Sequence, residues 1–338
     1  MTKNNSPAAS ESLDKARAAF KRAFGPVLPD RIALLGGGIS GAYPYRVDVG
    51  NRSYLIRVEG AASPLRNPYQ YESMWIASEA GIAPKVHFLD SESRVAVMDF
   101  VDEKPLSEFP DGAPALAEAV GELLGRVGKT KLFPRFIDYP EMVGRLWWWV
   151  CQTGLFAEGV LNAASDRLAG IRRSYVWDSG LASSHNDPVP GNILYDGSRL
   201  WCIDWESAYL NDPLVDLAIT LDNYAQTPAL ENLLVRSWQT YRSENLVPER
   251  LEQVRSLTRL YYAGVFFSAA AAAGIAGDED ASAPSIRDVK ENIRSGFIAP
   301  RSPVVMSALG KLYLDSFMTG KAAPPVTVFS DPERSSPS

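Results

Sequence analysis

The sequence predicts an α+β chain in two lobes: a small antiparallel β-rich lobe with one helix, and a larger, mainly helical lobe. Three observations carry this. Short strand-like runs bounded by glycine and turn residues crowd residues 31–98. Helical patterning dominates after residue 105. A polar connector, residues 99–105, separates the two. The expected boundaries are a tail and helix over 1–29, a β-rich lobe over 30–100, a helical lobe over 101–320 and a loose tail over 321–338.

Each element has its own signal. Residues 1–10 read as disordered, and Glu11 to Phe24 as a helix with Leu13, Ala16, Phe20 and Phe24 on one face, stopped by Gly25-Pro26. Ile32 to Leu35 is a strand leading into the glycine-rich run Gly36 to Gly41. Strands follow over Tyr43 to Val49 and Tyr54 to Val58, joined by a turn at Gly50-Asn51. Tyr69 to Ala80 is a helix broken by Gly81, and Val86 to Leu89 and Arg94 to Met98 are two more strands. Leu260 to Gly277 carries no charge but is rich in alanine and glycine, which fits a packed internal helix better than a membrane span.

Composition narrows the class. At 338 residues, with 46% hydrophobic and 22% charged residues, the chain reads as an ordinary soluble globular protein. A net charge of −6 argues against a nucleic-acid partner and suits a cationic small molecule. Cys151 and Cys202 read as two buried thiols in a reducing compartment. The polar stretch Met1 to Lys15 has no apolar signal core, so a cytoplasmic protein is expected.

The chemistry is concentrated in Ser184 to Leu194 and in Cys202-Ile203-Asp204-Trp205-Glu206. Phosphoryl transfer needs a group to orient a hydroxyl nucleophile, and hard oxygens to hold Mg²⁺ on nucleotide phosphates. Asp187 suits the first task; Asn192 and Asp204 suit the second. Each has a plain alternative: a turn cap before Pro188, a turn Asn after Gly191, a strand-end carboxylate. The order His185-x-Asp187, four residues, Asn192, then Asp204 matches that of a kinase catalytic loop and its later metal-binding Asp, which favours chemistry. His185 reads as a brace for the loop and His87 as a satisfied core residue. Asp216 is expected to brace the loop too. Arg57, on the third strand, offers a fork for phosphate oxygens, with Glu72 on the next helix to hold it.

These residues resemble the aminoglycoside phosphotransferase and choline kinase superfamily over roughly residues 30–225. The match rests on His185-Asn186-Asp187…Gly191-Asn192-Ile193-Leu194, on Ile203-Asp204-Trp205-Glu206 and on Asn211-Asp212-Pro213…Asp216-Leu217-Ala218. Arg57 in place of a lysine resembles the choline kinase side, whereas Ile219 and Thr220 depart from it. The resemblance implies a bilobal protein-kinase-like fold, ATP or GTP, Mg²⁺, and transfer of the γ-phosphoryl group to a small-molecule hydroxyl. The acceptor expected is an amino alcohol of the choline or ethanolamine kind, or an aminoglycoside-like compound. Gly38, Ser40, Gly41, Arg57, Glu72 and Met98 are expected at the nucleotide. Asn192 and Asp204 are expected on the metal, and Asp187, Trp205, Glu206 and Tyr224 at the acceptor. The triple Trp147-Trp148-Trp149 is either a cationic pocket wall or core. The alternative function is a catalytically silent, pseudokinase-like protein that only binds ligand; a protein kinase is disfavoured, because Trp205-Glu206 replaces Phe-Gly and no Ala-Pro-Glu follows.

Overall fold

The computed structural model describes residues 7–36, 41–60, 67–176, 180–242 and 245–329. Five strands form one antiparallel sheet: β1 (Arg31–Leu34), β2 (Tyr43–Val49), β3 (Arg52–Val58), β4 (Val86–Asp90) and β5 (Val95–Asp99), in the order β1-β2-β3-β5-β4. Period-two alternation sends Tyr54, Ile56 and Val58 of β3 to one face, where Ala16, Ala19 and Phe20 of α1 (Pro7–Phe24) cover them. The other face carries Leu55, Ala96 and Met98, which join the main core with residues of α2 (Gln70–Glu79). Arg57 shares this second face by the same alternation, and so points at the rest of the molecule.

The structure departs from two sequence expectations. The N-terminal helix starts at Pro7, inside the stretch expected to be disordered, and it packs on the sheet as part of the small lobe rather than apart from it. The C-terminal segment is not loose up to residue 329: Ala323 and Phe329 are buried.

The connector leaves β5 with Phe100 N–H donating to the Ser53 carbonyl and reaches the large lobe where Lys104 N–H donates to the Tyr195 carbonyl. The large lobe holds α3 (Gly112–Val127), α4 (Tyr139–Gln152), α5 (Asn162–Ser174), α6 (Leu214–Tyr224), α7 (Pro228–Gln239), α8 (Pro248–Ala272), α9 (Ile286–Arg294) and α10 (Pro303–Thr319). Two short strand pairs carry the loops of interest. β6 (Ala182–Ser184) pairs with β9 (Tyr209–Asn211), and β7 (Ile193–Tyr195) with β8 (Leu200–Cys202). α8 runs through the middle of the lobe against α4, α6 and α10. No helix among the described residues is long and apolar enough to cross a membrane. Cys202 is buried as expected, but Cys151 lies exposed on α4.

Candidate active site

The loop after β6 and the turn after β8 face the small lobe, and both are held by bonds inside the large lobe. Asn186 and Asp204 take left-handed backbone at φ 63° and 62°, a conformation that costs a non-glycine residue about 1–3 kcal/mol and persists only where neighbours impose it. The neighbours are visible. Asp216 on α6 accepts from the backbone N–H of His185 at 2.8 Å and of Asn186 at 2.6 Å. The Asn186 amide donates to the Ser207 carbonyl at 2.8 Å and accepts from Asn211 at 2.7 Å. His185 Nε2 donates to the Ile203 carbonyl at 2.8 Å, tying the first loop to the residue before Asp204. Burial lowers the His185 pKa, and the ring packs tilted against Trp205 with 4.7 Å between centroids. His185 and Asp216 are braces, as expected from the sequence.

Asp187 presents its carboxylate to the cleft with both oxygens engaged. Asn192 Nδ2 donates to Oδ2 at 2.9 Å and to the Asp187 backbone carbonyl at 2.9 Å. Tyr262 Oη donates to Oδ1 at 2.6 Å. Burial pushes the Asp187 carboxyl up to about 7, the Tyr262 bond pulls it back, and the charges of Asp204 and Glu206 push it further up. With its nitrogen committed to Asp187, Asn192 has its amide oxygen left as the atom for a cation. That oxygen and the Asp204 carboxylate are the hard-oxygen groups that would hold a Mg²⁺ ion, which would supply charge neutralisation at nucleotide phosphates.

Arg57 closes the cleft from the other side. Its Nε donates to Glu59 Oε1 at 2.8 Å, Nη1 to Asp204 Oδ1 at 2.6 Å and Nη2 to Glu206 Oε2 at 3.0 Å. Burial opposes the guanidinium charge, but the three carboxylates outweigh it and hold the pKa above its ordinary value. The expected partner was Glu72. It lies exposed in the first turn of α2, and Glu59, two residues further along the chain and just past the end of β3, takes the Nε bond instead. Beside Glu59, Gly60 lies against the end of the glycine-rich loop: a Cβ there would stand 2.7 Å from the Gly41 carbonyl oxygen, so only glycine fits. Gly38 and Ser40 lie outside the described residues.

The remaining expected positions divide. Glu206 is at the cleft, beside Arg57. Met98 is buried on β5, one residue before its end, opposite Leu55. Trp205, expected at the acceptor, is a core residue at 2% exposure, wedged between His185 and Phe133. Tyr224 is half-buried on α6. Burial raises its phenol, and Cys202 and Asp187 add to the effect. The tryptophan run splits: Trp147 is buried with its indole donating to Ser165, while Trp148 and Trp149 are exposed on α4. Tyr262 and Glu59 were missed. Tyr262 sits in the uncharged stretch read only as packing, and the sole signal for it was a polar hydroxyl in a helix otherwise suited to the core.

Two lobes, a connector, and an Asp–Asn–Asp set facing a strand cation define a kinase-like phosphotransferase fold. The chain belongs to the phosphotransferase enzyme family, whose model matches residues 31–255. A 42-residue stretch is 50% identical to protein LicA of Haemophilus influenzae, covering 12% of this chain and 16% of that protein. Among solved structures, a choline/ethanolamine kinase family protein from Mesorhizobium loti superposes with a TM-score of 0.60 at 18% identity, over 91% of this chain and 95% of that one. LicA in complex with AMP gives 0.62 at 15% identity, over 91% and 99%. Spectinomycin phosphotransferase in complex with ADP and spectinomycin gives 0.55 at 13% identity, over 94% and 97%. At these identities the likeness is one of fold.

Proposed function

We propose that the protein transfers the γ-phosphoryl group of ATP or GTP, with Mg²⁺, to a hydroxyl of a small molecule bearing an amine. The observation that carries this is the sharing of the Asp187 carboxylate: its two oxygens are fixed by Asn192 and Tyr262, and Asp204 and Glu206 stand close enough to raise its pKa. In this reading Asp187 orients the acceptor hydroxyl and takes its proton as the oxygen bonds to phosphorus. Asn192 and Asp204 hold the metal, which would neutralise charge on the phosphates. Arg57 meets phosphate oxygens as a fixed fork. Glu206, on the acceptor side, attracts a cationic group. We place the enzyme in the cytoplasm, where nucleotide is available and the free thiols Cys151 and Cys202 stay reduced.

The competing reading is a silent protein that holds ligand without turnover. It draws on Arg57, which occupies oxygens of Asp204 and Glu206 that the metal and acceptor would use. Thermal shift with ATP and Mg²⁺, run beside ADP release across choline, ethanolamine and spectinomycin, separates the two. ADP release that depends on an acceptor supports transfer; nucleotide binding with no release above background supports the silent protein.

A further inference from the structure

We infer that Tyr262 is a positioning residue for Asp187, supplied by a helix that runs on past the end of the family match. The inference rests on the reading of Asp187 as the base. The family match ends at residue 255, and Tyr262 lies beyond it on α8. Its hydroxyl is 2.6 Å from Asp187 Oδ1, and its side chain is 6% exposed. The ring is fixed on two sides, edge-on to Tyr261 at 5.5 Å and tilted against Tyr313 at 5.6 Å. These contacts hold the phenol against the carboxylate.

The bond has a definite chemical consequence. A carboxylate anchored only through Oδ2 by Asn192 can still rock about its Cβ–Cγ axis. A second donor on Oδ1 removes that freedom and leaves the remaining lone pair of Oδ1 directed along one path. Misplacing a base by about 1 Å can cost about a hundredfold in rate, so the second anchor has room to matter. In the transfer step the acceptor hydroxyl gives its proton to Asp187 as its oxygen bonds to phosphorus and the bond to the nucleoside diphosphate breaks. Tyr262 keeps its own proton, and burial raises its pKa well above the ordinary value, as Asp187 beside it does further. Tyr262 therefore acts through Asp187 and not on the substrate.

The test is a double-mutant cycle on the full chain. ADP release from ATP·Mg²⁺ is measured with choline, ethanolamine or spectinomycin as acceptor, and with water alone where none is taken. Y262F should lower kcat about 10- to 100-fold and leave the nucleotide KM within about twofold. The same change in D187N should alter the residual rate by less than about twofold. Nucleotide affinity by titration, unchanged in every variant, shows that the fold is kept. Y262F at the wild-type rate, equal losses from Y262F in both backgrounds, or loss of nucleotide affinity would each overturn the inference. Near-wild-type turnover of D187N would instead overturn the assignment of Asp187 as base.

Discussion

Arg57 donates to Asp204 at 2.6 Å across the cleft, so a strand cation of the small lobe neutralises the carboxylate to which the metal reading assigns Mg²⁺. The guanidinium thus stands where positive charge is needed before nucleotide arrives. Metal and arginine compete for one carboxylate, whereas nucleotide phosphates attract both.

That competition sets opposite signs for one substitution. Arg57→Ala should bind Mn²⁺ about tenfold more tightly than wild type without nucleotide, because Asp204 and Glu206 lose their cation. It should also raise the nucleotide KM, and Arg57→Lys should be partly tolerated, since a point charge replaces some of the fork. Mn²⁺ titration followed by electron paramagnetic resonance reads the first effect, and steady-state kinetics the second. Weaker Mn²⁺ binding by the alanine variant would contradict the competition.

Glu59 and Glu72 give a paired comparison. Glu59 is 7% exposed and bonded to Arg57 Nε, whereas Glu72 is exposed on α2. Glu59→Gln should raise the nucleotide KM several-fold, because Arg57 loses the anchor that aims its fork. Glu72→Gln should stay within twofold of wild type. Kinetics on the two variants side by side decide it, and the reverse ranking would restore the helix glutamate.

Asp216 predicts a pH effect on stability. Burial raises its pKa from 3.8 to about 6, against the pull of the His185 and Asn186 amides. A carboxyl with a raised folded-state pKa binds more protons folded than unfolded between those values. Its contribution to stability is full below about 3.8 and is lost as pH rises through about 6. Asp216→Asn, which removes the titration and one acceptor, should be less stable than wild type at pH 5, with the gap in Tm narrowing towards pH 7.5. Thermal unfolding across that range checks it, and a widening gap would reverse the sign.

Much of this was legible because it is local. The strands and their turns follow period-two runs and glycines. The Asp187–Asn192–Asp204 order lies within eighteen residues, and Asp216 as a brace follows from the same segment. What was hidden depends on packing between distant segments. Tyr262 meets Asp187 across 75 positions, and nothing in α8 announces which turn faces the loop. Glu59 replaced Glu72 because the orientation of α2 decides which carboxylate reaches β3. Trp205 looks like a pocket aromatic in sequence, but after the turn at Asp204 its ring lies in the core against His185 and Phe133. The tryptophan run stayed open in sequence between pocket wall and core; in the structure Val143, Leu146, Trp147 and Val150 form one buried helical stripe, and Trp148 and Trp149 fall off it.

The central claim is that Asp187 serves as the base in phosphoryl transfer, and Asp187→Asn tests it most directly. ATP labelled in its γ-phosphate is incubated with Mg²⁺ and the best acceptor of the screen, with wild type and variant at matched nucleotide occupancy. The account predicts label on the acceptor as a phosphate ester with wild type. The variant should bind ATP·Mg²⁺ nearly as well but lose kcat by orders of magnitude, with little change in acceptor KM. Transfer by Asp187→Asn within a few-fold of wild type would contradict it, since asparagine caps a turn as well as aspartate but cannot take the proton.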